Sequence, residues 1–120
     1  MKGYIDMLFE YRHKFYIVDW KSNFLGPAIA DYEKDVLAKE MVRSFYILQY
    51  HLYTLAVHLL LKMRKPNYRY DQDFGGIFYV FIRGVNARLG PGYGIFSDRP
   101  ATDMVDALGR TLIPGYEAGG

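Results

Sequence analysis

Two segments, Lys14–Lys21 and 76–84, have the composition of β-strands that are apolar on both faces. Such strands are typical of the middle of a sheet that is covered on both sides. Helix-patterned sequence lies between them, and two strands joined by a helical crossover run parallel in one sheet. The order of elements therefore predicts an α/β fold in which helices pack against a sheet that contains a parallel pair.

The remaining elements follow from turn residues, helix caps and helical periodicity. A short turn around Arg12 predicts a hairpin between the strand Lys14–Lys21 and the strand before it. Pro66 ends the longest helical pattern, because proline cannot continue a helix. The other predicted elements are a strand over 3–10, a helix from an N-cap at Asp31 to about Val42, a helix from about Phe45 to Lys65, a strand at Ile95 and Phe96, and a helix over 101–112.

Composition limits the chain to one globular domain without cysteine chemistry. The chain has 120 residues, 51% hydrophobic and 23% charged, which excludes a disordered chain. It contains no cysteine, which excludes disulfides, thiolate zinc sites and cysteine nucleophiles. The formal net charge is only +2, so contact with nucleic acid has to come from a local site. The most apolar stretch, 45–61, contains polar residues, so it predicts a buried helix rather than one that spans or contacts a membrane.

Three charged residues point to chemistry at one end of the predicted sheet. Strand alternation places Asp19 and Lys21 on one face, and Asp6 could approach the same end across the hairpin. Two converging carboxylates can hold Mg²⁺, and a neighbouring lysine can balance charge that develops on a phosphoryl group. This combination suits phosphodiester hydrolysis. From these residues alone, however, a solvated ion pair at a strand end is the commoner explanation of Asp19 and Lys21.

Gln49 and Tyr53 are four residues apart and share a face of the longest predicted helix. They either form a polar pair that leans over the strand end, or a hydrogen-bonded amide beside a packed tyrosine at the edge of the core. Spacing alone favours the second interpretation. The three histidines, His13, His51 and His58, show no ligand spacing with one another or with the carboxylates.

Longer motifs give a more specific indication. They are GYIDMLFE, FYIVDWKSNFLG, YILQYHLYTLAVH, FGGIFYVFIRGV and GIFSDRP, in that order over residues 3–100. Together they resemble the C-terminal nuclease domain of the RecB subunits of exodeoxyribonuclease V, which belongs to the PD-(D/E)xK nuclease superfamily. The resemblance implies a restriction-endonuclease-like mixed sheet flanked by helices, and Mg²⁺ as cofactor, with Mn²⁺ or Ca²⁺ able to substitute in binding.

The resemblance also implies roles for individual residues. Metal-site or catalytic roles fall on Asp6, Asp19 and Lys21. The backbone carbonyl of Trp20 is expected to complete the metal shell. Relatives commonly have tyrosine at this position, but only the carbonyl is needed. Gln49 and Tyr53 match the family's Q-x-x-x-Y motif and are expected to line the site or contact DNA.

One family feature has no counterpart in the sequence. The family carries a further metal-ligating histidine on a helix upstream of the G-x-x-D strand. We therefore expect residues 1–120 to form a single, partial nuclease domain that lacks the first helix and strand, with its core over about 3–100 and a helix and tail over 101–120. Weak or undetectable activity of the isolated chain, and self-association through its uncovered faces, follow as expectations.

The implied function is the Mg²⁺-dependent nuclease module of a RecBCD-type helicase–nuclease, active in double-strand-break repair and recombination. Its implied partners are DNA and the other subunits of such a complex, and its implied location is the bacterial cytoplasm. The alternative is a catalytically inactive, nuclease-like scaffold that docks partner subunits or DNA. Retention of Asp6, Asp19, Lys21 and Gln49 together argues against that alternative.

Overall fold

A computed structural model describes residues 6–86, 88 and 90–118. Within these residues, four strands form one mixed sheet, and the longer helices pack on one of its faces. The elements in chain order are β1 Met7–Tyr11, β2 Lys14–Lys21, α1 Lys34–Arg43, α2 Tyr46–Arg64, the helical turn α3 Tyr70–Asp73, β3 Phe74–Phe81, β4 Ile95–Asp98 and α4 Thr102–Leu112. Short 3-10 turns lie at Ile29–Tyr32, Ile82–Gly84 and Gly90–Gly92.

The sheet has the strand order β1-β2-β3-β4 and confirms the predicted α/β fold. β1 and β2 form an antiparallel hairpin, whose turn residues Arg12 and His13 both have positive φ, as this kind of tight turn requires. β2 and β3 run parallel, as the helical crossover predicts, and β4 is antiparallel to β3. In the parallel pair, Asp19 lies beside Tyr79 and Lys21 lies beside Phe81.

The core lies between one face of the sheet and the helices α1 and α2. Ile17, Ile77 and Leu37 are fully buried there, and α4 packs on α2 with Val105 almost fully buried. Pro66 follows α2 closely, and the helix matches the predicted span to within a residue at each end. No helix in the described part of the chain is long and apolar enough to cross a bilayer.

Two boundaries differ from the predictions. Asp31 does not cap α1: the helix begins at Lys34 with Glu33 as its N-cap, and Asp31 instead accepts the Ala28 N–H within a 3-10 turn. The strand predicted over 76–84 begins two residues earlier, at Phe74. It also ends earlier, at Phe81, because residues 82–84 turn away into a 3-10 helix. The start of the strand predicted over 3–10 lies outside the described residues, and α3 was not predicted.

The prediction that the two central strands are covered on both faces is wrong for the second face. There Trp20 is 43% exposed and Tyr16, Phe78 and Val80 are only partly buried, whereas Val18 is buried. The rings of Phe9, Tyr16 and Phe78 stack across three strands, with centroids 5.3 and 5.8 Å apart. Apolar residues on this face therefore bury one another by ring stacking rather than under a layer of helices.

Candidate active site

Asp19 and Lys21 form a mostly buried ion pair near the carboxyl end of β2, on the face covered by the helices. Lys21 Nζ lies 2.9 Å from Asp19 Oδ1, and the two side chains are 16% and 3% exposed. The ammonium also lies 4.3 Å from the centroid of the Tyr46 ring and 5.3 Å from that of Tyr79. The burial excludes the solvated ion pair, and the two rings fix the ammonium by cation–π attraction.

Asp6 is anchored to the same end of β2 from the other strand of the hairpin. It immediately precedes β1, and its Oδ2 accepts the backbone N–H of Trp20 at 2.8 Å. The N–H and C=O of one residue in a strand point to the same neighbouring strand. The Trp20 carbonyl therefore also faces the side on which Asp6 lies, while the Trp20 indole lies on the second face of the sheet.

The carboxylates of Asp6 and Asp19 interact electrostatically. Burial raises the pKa of Asp19, the negative charge of Asp6 raises it further, and the Lys21 ammonium offsets only part of the shift. The charge of Asp6 thus adds repulsion to a carboxylate whose pKa is raised chiefly by burial. A divalent cation would relieve that repulsion.

The donors that converge here fit a hard divalent cation. The described ranges contain no cluster of three or more histidine, aspartate or glutamate side chains that could hold a metal ion. The set is therefore two carboxylates, from Asp6 and Asp19, with the Trp20 carbonyl beside them. Mg²⁺ suits such a set, because it commonly binds through one or two carboxylates and fills its remaining positions with water and substrate phosphate.

Gln49 and Tyr53 lie on α2, and each is only 6% exposed. Gln49 Oε1 accepts a hydrogen bond from the hydroxyl of Tyr79, which is the cross-strand neighbour of Asp19. Burial, with the charge of Asp19 nearby, raises the pKa of Tyr79, so its hydroxyl remains a donor at neutral pH. Gln49 is thus a hydrogen-bonded amide beside a packed tyrosine, and its partner Tyr79 lies next to Asp19 in the sheet. Contact of Gln49 or Tyr53 with DNA stays a prediction.

The sequence analysis missed a polar network that holds the ring over Lys21. The Tyr46 hydroxyl donates to Asn23 Oδ1 at 3.2 Å, and Asn23 Nδ2 donates to Glu40 Oε2 at 2.6 Å. Glu40 is 4% exposed and also accepts hydrogen bonds from Ser44 and Arg43. Burial alone would raise the pKa of Glu40, but these donors lower it overall, so it stays ionised. The loop after β2 is thereby fixed to α1 and α2.

Two sequence signals could have indicated this network. Glu40 falls between the apolar positions Leu37 and Met41 of α1, where an ionised side chain needs partners. Asn23 lies two residues after the D-x-K strand end, where a turn residue can hold the loop. Tyr79 gave no such signal, because its place beside Asp19 depends on the register of two distant segments.

The raised pKa of Asp19 makes the free energy of unfolding decrease as the pH rises. Its pKa in the folded chain is raised above the ordinary 3.8, so the folded state holds this proton more tightly than the unfolded state does. The resulting stabilisation is present at low pH and is lost as the pH rises through the raised pKa. We expect the free energy of unfolding of the wild-type chain, minus that of the Asp19→Asn chain, to fall as the pH rises above the ordinary pKa of 3.8, as measured by urea titrations. A rise over that range would contradict the assignment.

Curated relatives identify the family. The chain is 47% identical to the RecBCD enzyme subunit RecB of Haemophilus influenzae over 108 residues, or 90% of the chain. It is 40% identical to RecB of Escherichia coli over 105 residues, and 36% identical to RecB of Mycobacterium tuberculosis over 107 residues, which cover 88% and 85% of the chain. No protein-family model matches the chain.

The chain spans about a tenth of the length of these relatives: 9%, 9% and 10%, respectively. The matches nevertheless take in most of the chain, and the predicted resemblance to RecB is confirmed by proteins from distant bacteria. Over the segment that it shares with these subunits, the chain belongs to the RecB family.

Proposed function

We propose that the chain is a Mg²⁺-dependent DNA nuclease module of a RecBCD-type enzyme, with the fold of the PD-(D/E)xK superfamily. The observation that carries the proposal is the meeting of Asp6 and Asp19 at one end of β2, beside the ammonium of Lys21. The mixed sheet with its helices is compatible with that superfamily, and the relatives are named as subunits of the RecBCD enzyme.

Each residue of the site has a defined task in the proposed reaction. Asp6, Asp19 and the Trp20 carbonyl hold the cation, which supplies Lewis acidity toward a phosphate oxygen. Lys21 places its ammonium where negative charge develops on the phosphoryl group. Tyr46 and Tyr79 hold that ammonium in position from the side of α2 and β3. Gln49 fixes the Tyr79 hydroxyl, and Tyr53 interacts electrostatically with Tyr79.

The proposed partners are DNA and the other subunits of a RecBCD-type complex, and the proposed setting is double-strand-break repair and recombination in the bacterial cytoplasm. Substrate and partners rest on the relatives and on the site together, because the net charge of +2 does not by itself select a polyanion.

A chimera tests the proposal in the context of a full-length subunit. In this RecB chimera, the chain replaces the matching segment of the Haemophilus influenzae subunit, which is assembled with the other subunits of that enzyme. We expect ATP-dependent DNA cleavage that requires Mg²⁺ and that Asp19→Ala abolishes.

Two results would contradict the proposal. The first is a chimera that unwinds DNA normally but does not cleave it, which would favour the inactive scaffold. The second is normal cleavage by the Asp19→Ala chimera. DNA unwinding serves as the control for assembly, because a chimera that unwinds DNA has folded and has bound its partner subunits.

A further inference from the structure

An exposed aromatic ring and an arginine lie together at the sheet edge that carries the proposed catalytic site. Phe24, in the loop after β2, is 64% exposed. Arg83, in the 3-10 turn after β3, donates through Nε to the Ser22 carbonyl at 2.7 Å, and its guanidinium carbon lies 5.8 Å from the centroid of the Phe24 ring. Since β2 and β3 are parallel and Lys21 pairs with Phe81, both residues follow the same strand ends as Lys21.

The pair borders a cavity of about 430 Å³, which is also lined by Tyr32 and residues 26–29. Its walls are held in place by hydrogen bonds: the Leu25 N–H donates to the Tyr32 hydroxyl at 3.2 Å, and the Ala28 N–H donates to Asp31 Oδ2 at 2.9 Å. A cavity of this size falls in the range of ligand sites in proteins. Because the cavity is open and lies beside an exposed ring, one unit of a polymer can occupy it while the rest of the strand continues outside on either side.

The charge of Arg83 is available to a ligand. No carboxylate in residues 6–86, 88 or 90–118 forms an ion pair with it, although four other ion pairs occur there. Its Nε is used on the Ser22 carbonyl, which fixes the orientation of the guanidinium without neutralising it. Arginine in such an orientation binds phosphate, and an exposed aromatic ring stacks with a nucleobase of any sequence.

We infer that Phe24 and Arg83 form a subsite for single-stranded DNA, in which a base stacks on Phe24 and a neighbouring phosphate binds Arg83. The inference rests on the proposed nuclease function and deepens it. Ser22, to which Arg83 is bound, directly follows Lys21 in the chain. The subsite therefore lies at the strand end that carries Lys21, and it binds the face of a base that is stacked and hidden in a duplex.

A similar pair at the opposite end of the sheet provides matched controls. Arg12 lies 5.2 Å from the centroid of the Tyr11 ring, and Tyr11 is 54% exposed. Both residues lie at the β1–β2 turn, away from the carboxyl ends of β2 and β3. Substitutions at Tyr11 and Arg12 therefore remove the same types of side chain without touching the inferred subsite.

Fluorescence anisotropy of a labelled dT12 oligonucleotide, with the 120-residue chain in low salt and EDTA, tests the inference without cleavage. We expect Phe24→Ala to weaken binding about tenfold and Phe24→Tyr to restore it, because the loss is that of one stacked base. Arg83→Ala is expected to weaken binding several-fold and to lower the slope of log affinity against log salt by about 0.7. Tyr11→Ala and Arg12→Ala should bind as the wild-type chain does, and a matched duplex should bind more weakly than dT12.

The inference is overturned if the wild-type chain does not bind dT12, if the duplex binds more tightly, or if the control variants lose as much affinity as Phe24→Ala and Arg83→Ala. Circular dichroism of each variant shows whether its fold is intact. Failure of the proposed function looks different: the RecB chimera would not cleave DNA, while dT12 binding and its dependence on Phe24 would remain. Failure of the inference alone would leave Mg²⁺-dependent cleavage intact.

Discussion

Replacing Lys21 with alanine in the RecB chimera is expected to lower the rate of Mg²⁺-dependent DNA cleavage by at least about a hundredfold. The ammonium is held by Asp19 at 2.9 Å and by the rings of Tyr46 and Tyr79, so its position is fixed. A group that is fixed before the reaction stabilises developing charge without reorganising, which is why its removal costs so much. Single-turnover cleavage of a labelled duplex end measures the effect.

Lys14→Ala is the matched control for this substitution. Lys14 lies at the opposite end of the same strand and donates to the Gln72 carbonyl. The control chimera should cleave within about twofold of the wild-type rate, since surface polar contacts contribute little to the fold. Near-normal cleavage by the Lys21→Ala chimera, or an equal loss in the Lys14→Ala chimera, would remove Lys21 from the mechanism.

Asp6→Asn is expected to weaken Mn²⁺ binding by the 120-residue chain by about a hundredfold, because loss of a direct ligand should cost at least as much as loss of a group that merely supports one. The substitution keeps an oxygen that can accept the Trp20 N–H, so the anchor at the end of β2 is preserved. What it removes is the negative charge that faces Asp19. Titration of free Mn²⁺ by electron paramagnetic resonance reports the affinity directly.

Asp31→Asn provides the corresponding control. The Asp31 carboxylate also accepts a backbone N–H, that of Ala28, at 2.9 Å, but it lies in the loop before α1, outside the set formed by Asp6 and Asp19. The Asp31→Asn chain should bind Mn²⁺ as the wild-type chain does. Equal affinities of the Asp6→Asn and wild-type chains would show that Asp6 is not a ligand.

The sequence was sufficient to predict the part of the site that depends on local geometry. Alternation along β2 places Asp19 and Lys21 on one face, and a tight hairpin brings Asp6 to the same end; the structure has both features. The parallel pairing of β2 and β3 was predictable for a similar reason, since a helical crossover leaves little choice.

The parts that were not predictable depend on tertiary register. Tyr79 reaches Lys21 because β3 pairs with β2 at one particular offset, and Glu40 reaches Asn23 because α1 packs beside the loop after β2. The capping error at Asp31 has a local cause: an aspartate that accepts the N–H three residues before it closes a turn instead of opening a helix. The second face of the sheet shows that apolar composition does not require a covering layer where aromatic rings stack.

The proposed nuclease site depends on one cation being shared by two carboxylates. A crystal structure of the chain soaked in Mn²⁺, with an anomalous difference map, tests this most directly. We expect one peak at the end of β2, with an oxygen of Asp6 and an oxygen of Asp19 each at about 2.1 Å from the ion. A peak bound by only one of these side chains, or bound elsewhere while this position stays empty, would contradict it.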